Sequence, residues 1–171
     1  MAAADNPIVR MEWDSRMSIF KSVGHIALKV QNLDKSIDFY NRIGFPEMLR
    51  LHNEQGQPWI VYHRVTDDFY LELYPGGEGG DVPRPERTGL FHLCLTVDNI
   101  DDAEARLAAV GVPLSQPRRQ GRGLDGNRGM WIEDPDGHRI EIMEMAPDCI
   151  QHEAVRNLAA GGKPQALALT P

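Results

Sequence analysis

Four short stretches of the chain alternate apolar and polar residues. Between Ser22 and Val30, the residues Ile26, Leu28 and Val30 share one face, while His25, Ala27 and Lys29 share the other. In Phe69 to Tyr74, Leu71 and Leu73 oppose Tyr70, Glu72 and Tyr74. In Phe91 to Val97, Leu93, Leu95 and Val97 oppose His92, Cys94 and Thr96. In Arg139 to Met145, Ile140 and Ile142 oppose Arg139, Glu141, Met143 and Met145. A period of two with one wholly apolar face predicts half-buried strands. Two other stretches carry helical spacing. One runs from about Asp34 to Ile43 with Ile37, Tyr40 and Ile43 inward, the other from about Asp101 to Val110 with Ala103, Leu107 and Val110 inward. Asn32 or Asp34 is placed to cap the first, and Gly44 with Pro46, then Gly111 with Pro113, supply the stops. Hairpins are expected over residues 46–65 and, around the turn Asp134-Pro135-Asp136-Gly137, over 131–145.

These elements repeat. His25-Ile26-Ala27-Leu28-Lys29-Val30-Gln31-Asn32-Leu33-Asp34 returns 67 residues later as His92-Leu93-Cys94-Leu95-Thr96-Val97-Asp98-Asn99-Ile100-Asp101. The same offset carries Gly44 onto Gly111 and Pro46 onto Pro113. Two copies are too few for a solenoid and point to an internally duplicated α+β domain. Each half reads as strand, helix and three strands, with its apolar faces packed on the helices and its polar faces turned into a shared cup. The expected organisation is an arm over residues 1–21, a domain over 22–146 built of modules 22–75 and 89–146, and a terminal helix with a fraying tail over 147–171. The Gly/Pro-rich stretch from Gly76 to Thr88 reads as the linker between halves.

Charge and composition narrow the function. The net charge of −7 argues against a nucleic-acid partner. No apolar run approaches the ~20 residues of a membrane span, so no membrane partner is expected. Two cysteines provide no disulfide framework, and a cytoplasmic, reducing location is the default expectation. Residues 117–129 hold Arg118, Arg119, Arg122 and Arg128 among glycines and read as a mobile basic loop.

The chemistry lies on the polar faces of the strands. His25 and His92 occupy equivalent positions on the first strands, and Glu72 and Glu141 occupy the last strands between apolar neighbours. A lone histidine on a strand is ordinarily structural. A duplicated one, matched each time by a glutamate, is better explained by a shared task. Two carboxylates in one cup repel each other and lose hydration, and a divalent cation removes both penalties. Two imidazoles and two carboxylates around one cation give a neutral N₂O₂ set suited to Ni, Co, Zn or Mn.

The stretches Gly24–Val30, Leu71–Tyr74, Phe91–Asp98 and Glu133–Ile142 together resemble the vicinal-oxygen-chelate superfamily, and within it glyoxalase I (lactoylglutathione lyase). The resemblance covers about Ser22 to Met145. It implies paired βαβββ modules around one divalent metal ion per site, commonly in a homodimer. His25, Glu72, His92 and Glu141 match the family's metal ligands. It also implies a lyase or isomerase working by proton transfer through an enediolate stabilised by the metal. Glu141 would act as the base and Glu72 would serve the opposite face of a small α-hydroxy carbonyl substrate, such as a glutathione adduct. Lys29 stands where glyoxalase I has a glutathione-binding arginine. Lys29, Tyr74, Arg122, Trp131 and Met143 are the candidate substrate contacts, with simple packing or solvation as the alternative for each. An epimerase acting on another α-hydroxy carbonyl compound is a near alternative. An extradiol-type dioxygenase is disfavoured by the fourth ligand Glu72, and a metal-free resistance protein by the retention of all four.

Overall fold

A computed structural model describes residues 19–79 and 88–167. Most of the expected arm, the middle of the linker and the last four residues lie outside that description. The elements run β1 (His25–Lys29), α1 (Leu33–Arg42), β2 (Glu47–His52), β3 (Pro58–Arg64), β4 (Tyr70–Tyr74), β5 (Leu93–Thr96), α2 (Ile100–Ala109), β6 (Arg128–Glu133), β7 (Arg139–Glu144) and α3 (Ile150–Ala159). They form two sheets, ordered β1-β4-β3-β2 and β5-β7-β6. The mixed α+β architecture expected from the alternation is therefore present.

The repeat is visible in local chemistry. Asn32 caps α1, accepting the Lys35 N–H at 3.0 Å. Its counterpart Asn99 caps α2, accepting from Asp101 at 2.9 Å and Asp102 at 3.0 Å. An asparagine at this position satisfies amide donors that the helix itself leaves unpaired. Both helices end at a glycine in the left-handed region, Gly44 with φ 96° and Gly111 with φ 71°, where a side chain would strain the backbone. In each half the first strand lies parallel to the last, setting Ala27 beside Glu72 and Cys94 beside Glu141. A small residue therefore flanks each candidate ligand carboxylate at equivalent repeat positions.

The halves are not equal. The second contains two strands after its helix, not the expected three, and lacks a counterpart of β2 among the described residues. Pro113 and Pro117 remove backbone donors from this stretch, and Gly121 and Gly126 adopt positive φ, so a continuous ladder is disfavoured. β5 is also shorter than expected, and His92 falls just before it. At the end of α2, Val112 turns inward at 4% exposure while Val110, expected to do so, is 38% exposed. The helix stops at Ala109, and the glycine turn redirects the chain.

One apolar core joins both halves. Leu28, Val30, Ile37, Tyr40, Leu71 and Leu73 from the first cluster with Ile100, Leu107, Ile132, Ile140 and Ile142 from the second. Burying a side chain of this size contributes about 1.5–3 kcal/mol. Polar contacts cross the same boundary: Tyr40 Oη donates to Asp134 Oδ2 at 2.9 Å, the Gln31 amide donates to Asp136 at 3.2 Å, and Arg42 donates to the Val110 carbonyl at 3.0 Å. Because alternate strand residues point to opposite faces, this shared core turns the histidine- and glutamate-bearing faces away from it. Among the described residues, β1 pairs only with β4 and β5 only with β7, so each first strand keeps an open edge.

Candidate metal centre

In the first half, His25 opens β1 and Glu72 sits in the middle of β4. His25 Nε2 lies 3.7 Å from Glu72 Oε2. The histidine is half exposed, whereas the glutamate is only 6% exposed. A carboxylate so deeply placed needs donors. Tyr74 Oη provides one at 3.2 Å. Tyr62, directly across from Glu72 in the β3–β4 ladder, provides another. Burial raises both phenol pKa values, and the adjacent Glu72 charge raises them further, so both tyrosines stay protonated and able to donate. Tyr62 is absent from the candidates read from sequence. Its signal was available only in the register that places it opposite Glu72. Lys29 is exposed at the far end of β1, on the His25 face.

The second half places His92 Nε2 3.2 Å from Glu141 Oε2. Trp131 meets the His92 ring edge-on at a centroid distance of 4.9 Å, and Phe91 does so at 5.1 Å. Here no tyrosine donates to the carboxylate. Its neighbour is Cys94, whose thiol is pushed up to about 11, chiefly by burial and then by the charge of and hydrogen bond to Glu141. Cys94 is thus a neutral donor rather than a thiolate. Gly129 lies over Glu141: a Cβ built there would sit 3.7 Å from Oε1, at ordinary van der Waals contact. Met143 lies two residues beyond Glu141 on the same face of β7.

Three of the four loop arginines, Arg118, Arg122 and Arg128, are engaged in ion pairs. Arg118 pairs with Asp101 at 2.7 Å and Glu104 at 2.8 Å, and Arg128 pairs with Asp101 at 2.8 Å and Glu144 at 3.2 Å. Arg122, a candidate substrate contact, pairs with Asp148 at 2.9 Å. Their positive charge is spent on tying the loop to α2, to the end of β7 and to the turn before α3, where a mobile basic loop was expected.

The structure brings the four expected ligands together as two pairs, not as one quartet. Among the described residues, the only trio with ligand atoms mutually within 4.8 Å is Asp134, Asp136 and His138, in the β6–β7 turn. Asp134 is already saturated. Its Oδ2 accepts from Tyr40 at 2.9 Å and lies 2.9 Å from His138 Nδ1, and its Oδ1 accepts the Asp136 and His138 amides at 3.0 and 2.8 Å. Burial raises the Asp134 carboxyl, but the His138 hydrogen bond and charge outweigh it and the net shift is downward. His138 is raised mainly by the hydrogen bond to Asp134. The trio anchors the turn to α1 across the boundary between halves, and its carboxylate has no lone pair left facing outward.

Comparison with known proteins agrees with this architecture. The sequence model of the glyoxalase/bleomycin resistance protein/dioxygenase superfamily matches residues 22–142. The chain is 30% identical over 128 residues to a lactoylglutathione lyase of Neisseria meningitidis, covering 70% of this chain and 88% of that one. It is 29% identical over 128 residues to the uncharacterized protein YwkD of Bacillus subtilis, covering 74% and 98%. The crystal structure of a glyoxalase family protein from Enterococcus faecalis matches with a TM-score of 0.63 at 24% identity, over 74% of this chain and all of that one. The extent of the sequence match, together with a mixed fold of two sheets, places this chain in the glyoxalase/bleomycin resistance protein/dioxygenase superfamily.

Proposed function

We propose that the protein is a divalent-metal-dependent lyase or isomerase of the glyoxalase I type, with its metal site assembled from the first half of one copy and the second half of another. The observation that carries this reading is the pair of histidine–glutamate couples, each on the sheet face turned away from the core the halves share. One couple supplies one nitrogen and one carboxylate. Two couples from different copies supply the neutral four-ligand set that a divalent cation takes. The residues present fit such an ion. Each Nε2 already faces a carboxylate oxygen, at 3.7 Å in the first couple and 3.2 Å in the second, so it is the ring nitrogen we assign to the centre. The unpaired edges of β1 and β5, and the exposed Ile19, Val23, Leu90 and Phe91 preceding them, support association of two copies.

A cation held by these residues would supply Lewis acidity to a substrate carbonyl and so acidify the C–H on the neighbouring carbon. The protein must then supply a base. Glu72 is held by two tyrosine hydroxyls and almost fully buried, which suits a fixed ligand. Glu141 is more exposed, takes a thiol rather than two phenols as its hydrogen-bond donor among the described residues, and has a glycine instead of a side chain over it, which suits a group that swings to take and return a proton. Trp131 and Met143 flank that motion and limit water access, and Tyr74 braces Glu72 from the other side. Lys29, at the open end of the first couple, is placed to meet a charged substrate tail. Arg122 would reach substrate only by giving up Asp148. The domain we assign spans 22–146 in modules 22–75 and 89–146, flanked by the arm and tail. A cytoplasmic setting is supported by Cys94 and Cys149 both being free thiols.

The test is α-proton exchange. Metal-loaded protein in D₂O is offered a panel of α-hydroxy carbonyl compounds that includes the methylglyoxal–glutathione adduct. Exchange in at least one that vanishes on chelation supports the reading. Exchange confined to a compound other than the glutathione adduct moves the substrate to an epimerase type while keeping the chemistry. No exchange anywhere in the panel, with metal bound, contradicts it.

A further inference from the structure

We propose that Arg139 forms a carboxylate-binding subsite beside the metal centre, so that the substrate carries an anionic tail next to its chelating oxygens. This rests on the metal-centre reading above and adds the substrate class. Arg139 lies on β7 two residues before Glu141 and on the same face, which sets the two roughly 7 Å apart along the strand. Its guanidinium carbon sits 4.3 Å from the Trp131 ring centroid and 5.1 Å from that of Phe91. Those two rings are the ones that pack edge-on against His92. A single aromatic cluster therefore fixes the metal-ligand imidazole and the cation together.

Stacking of this kind occupies the flat face of a guanidinium and leaves its N–H edge available for a bidentate carboxylate. Among the described residues that edge meets no carboxylate. Arg118, Arg122 and Arg128 each meet a carboxylate, but Arg139 forms no ion pair among the described residues. The nearest candidate, Glu133, is its register partner on β6, yet it is exposed and makes no ion pair with it. Beside a neutral N₂O₂ metal site, a pre-oriented, partly buried cation that meets no carboxylate among the described residues calls for a compensating charge. A substrate anion compensates it.

The experiment uses the full chain loaded with Zn²⁺ and two small chelators. Acetohydroxamate has a neutral tail, and succinate monohydroxamate has a carboxylate tail on the same chelating group. Titration calorimetry on the wild type should show the carboxylate form binding roughly tenfold to a hundredfold more tightly. R139Q should reduce that preference to near unity while leaving acetohydroxamate affinity and metal content unchanged, and R139K should keep part of it. Equal affinity of the two chelators for the wild type would overturn the subsite, and that comparison stands whether or not R139Q folds. Full preference retained in R139Q would overturn it too. Failure of both chelators to bind metal-loaded protein would instead overturn the metal centre, and the subsite with it.

Discussion

The two halves descend from one plan, yet they hold their glutamates differently. Glu72 is sunk in a four-stranded sheet and accepts hydrogen bonds from Tyr62 and Tyr74. Glu141 stands in a three-stranded sheet beside a thiol, a glycine and an aromatic cluster that also carries Arg139. The missing strand and the missing tyrosines belong to the same half. On the proposed reading, a duplicated scaffold places two like carboxylates around one ion and gives them unlike freedom, Glu72 as the fixed ligand and Glu141 as the mobile base. The difference arises from what sits across the ladder, since the strands bearing the two glutamates are otherwise matched residue for residue in their apolar faces.

The strongest way to break this comparison is to remove each carboxylate charge in turn. Glu141→Gln should lower turnover by roughly 10²–10⁴-fold, the usual contribution of a positioned base, while metal is largely retained. Glu72→Gln should instead release metal. Equal metal loss in both variants, read by elemental analysis after dialysis, would erase the assigned division of labour. Core substitutions come next. Leu73→Ala and Ile140→Ala, one in each half, should each cost about 2–5 kcal/mol. Both should shift one common denaturation transition, because both side chains lie in one core; two separate transitions would show that the halves fold independently.

A sharper probe is the tyrosine clamp. Tyr62→Phe combined with Tyr74→Phe should weaken metal binding by about 10–100-fold, the usual effect of removing groups that orient a ligand. The mirror change in the second half, Cys94→Ala, should have a smaller effect, as a weak thiol donor is all that is lost. The smallest expected effect concerns the turn anchor and its pH dependence. Asp134 is lowered in the folded state, so its contribution is present above the unfolded carboxyl range near ~3.9 and fades as pH falls through the folded value. His138 is raised, so its contribution is full below ~6.5 and fades as pH rises through the folded value. The pair therefore stabilises most between about pH 4 and 6.5. His138→Asn should remove about 1–3 kcal/mol there and flatten that pH dependence, as measured by urea denaturation across the range.

Much of the fold was legible because it depends on short-range chemistry. Alternation gave the strand faces, Asn32 or Asp34 the start of the first helix, and Gly44 and Gly111 the stops. All of these act within a few residues. The histidine–glutamate couples were legible because the repeat put them at equivalent positions. What escaped the sequence depends on partners distant along the chain. Tyr62 matters through its register with Glu72, ten residues away on an adjacent strand. The loop arginines read as free until Asp101, Glu104, Glu144 and Asp148 came beside them. Arg139 looked like one more polar strand residue until Phe91 and Trp131 closed on it. The reversal of inward positions at Val110 and Val112 follows from a glycine turn that helical spacing does not anticipate.

On the proposed reading, a metal site takes one couple from each of two copies. Its most direct test mixes two variants, His25→Ala, which spoils the first half, and His92→Ala, which spoils the second. Each alone should lack tight metal binding. Refolded together in equal amounts, half of the dimers should be mixed, and each mixed dimer contains one intact site and one doubly broken site. Tight metal binding should therefore return to about a quarter of the wild-type level. No recovery in a mixture shown to contain mixed dimers would contradict the claim and place both couples of a site within one chain.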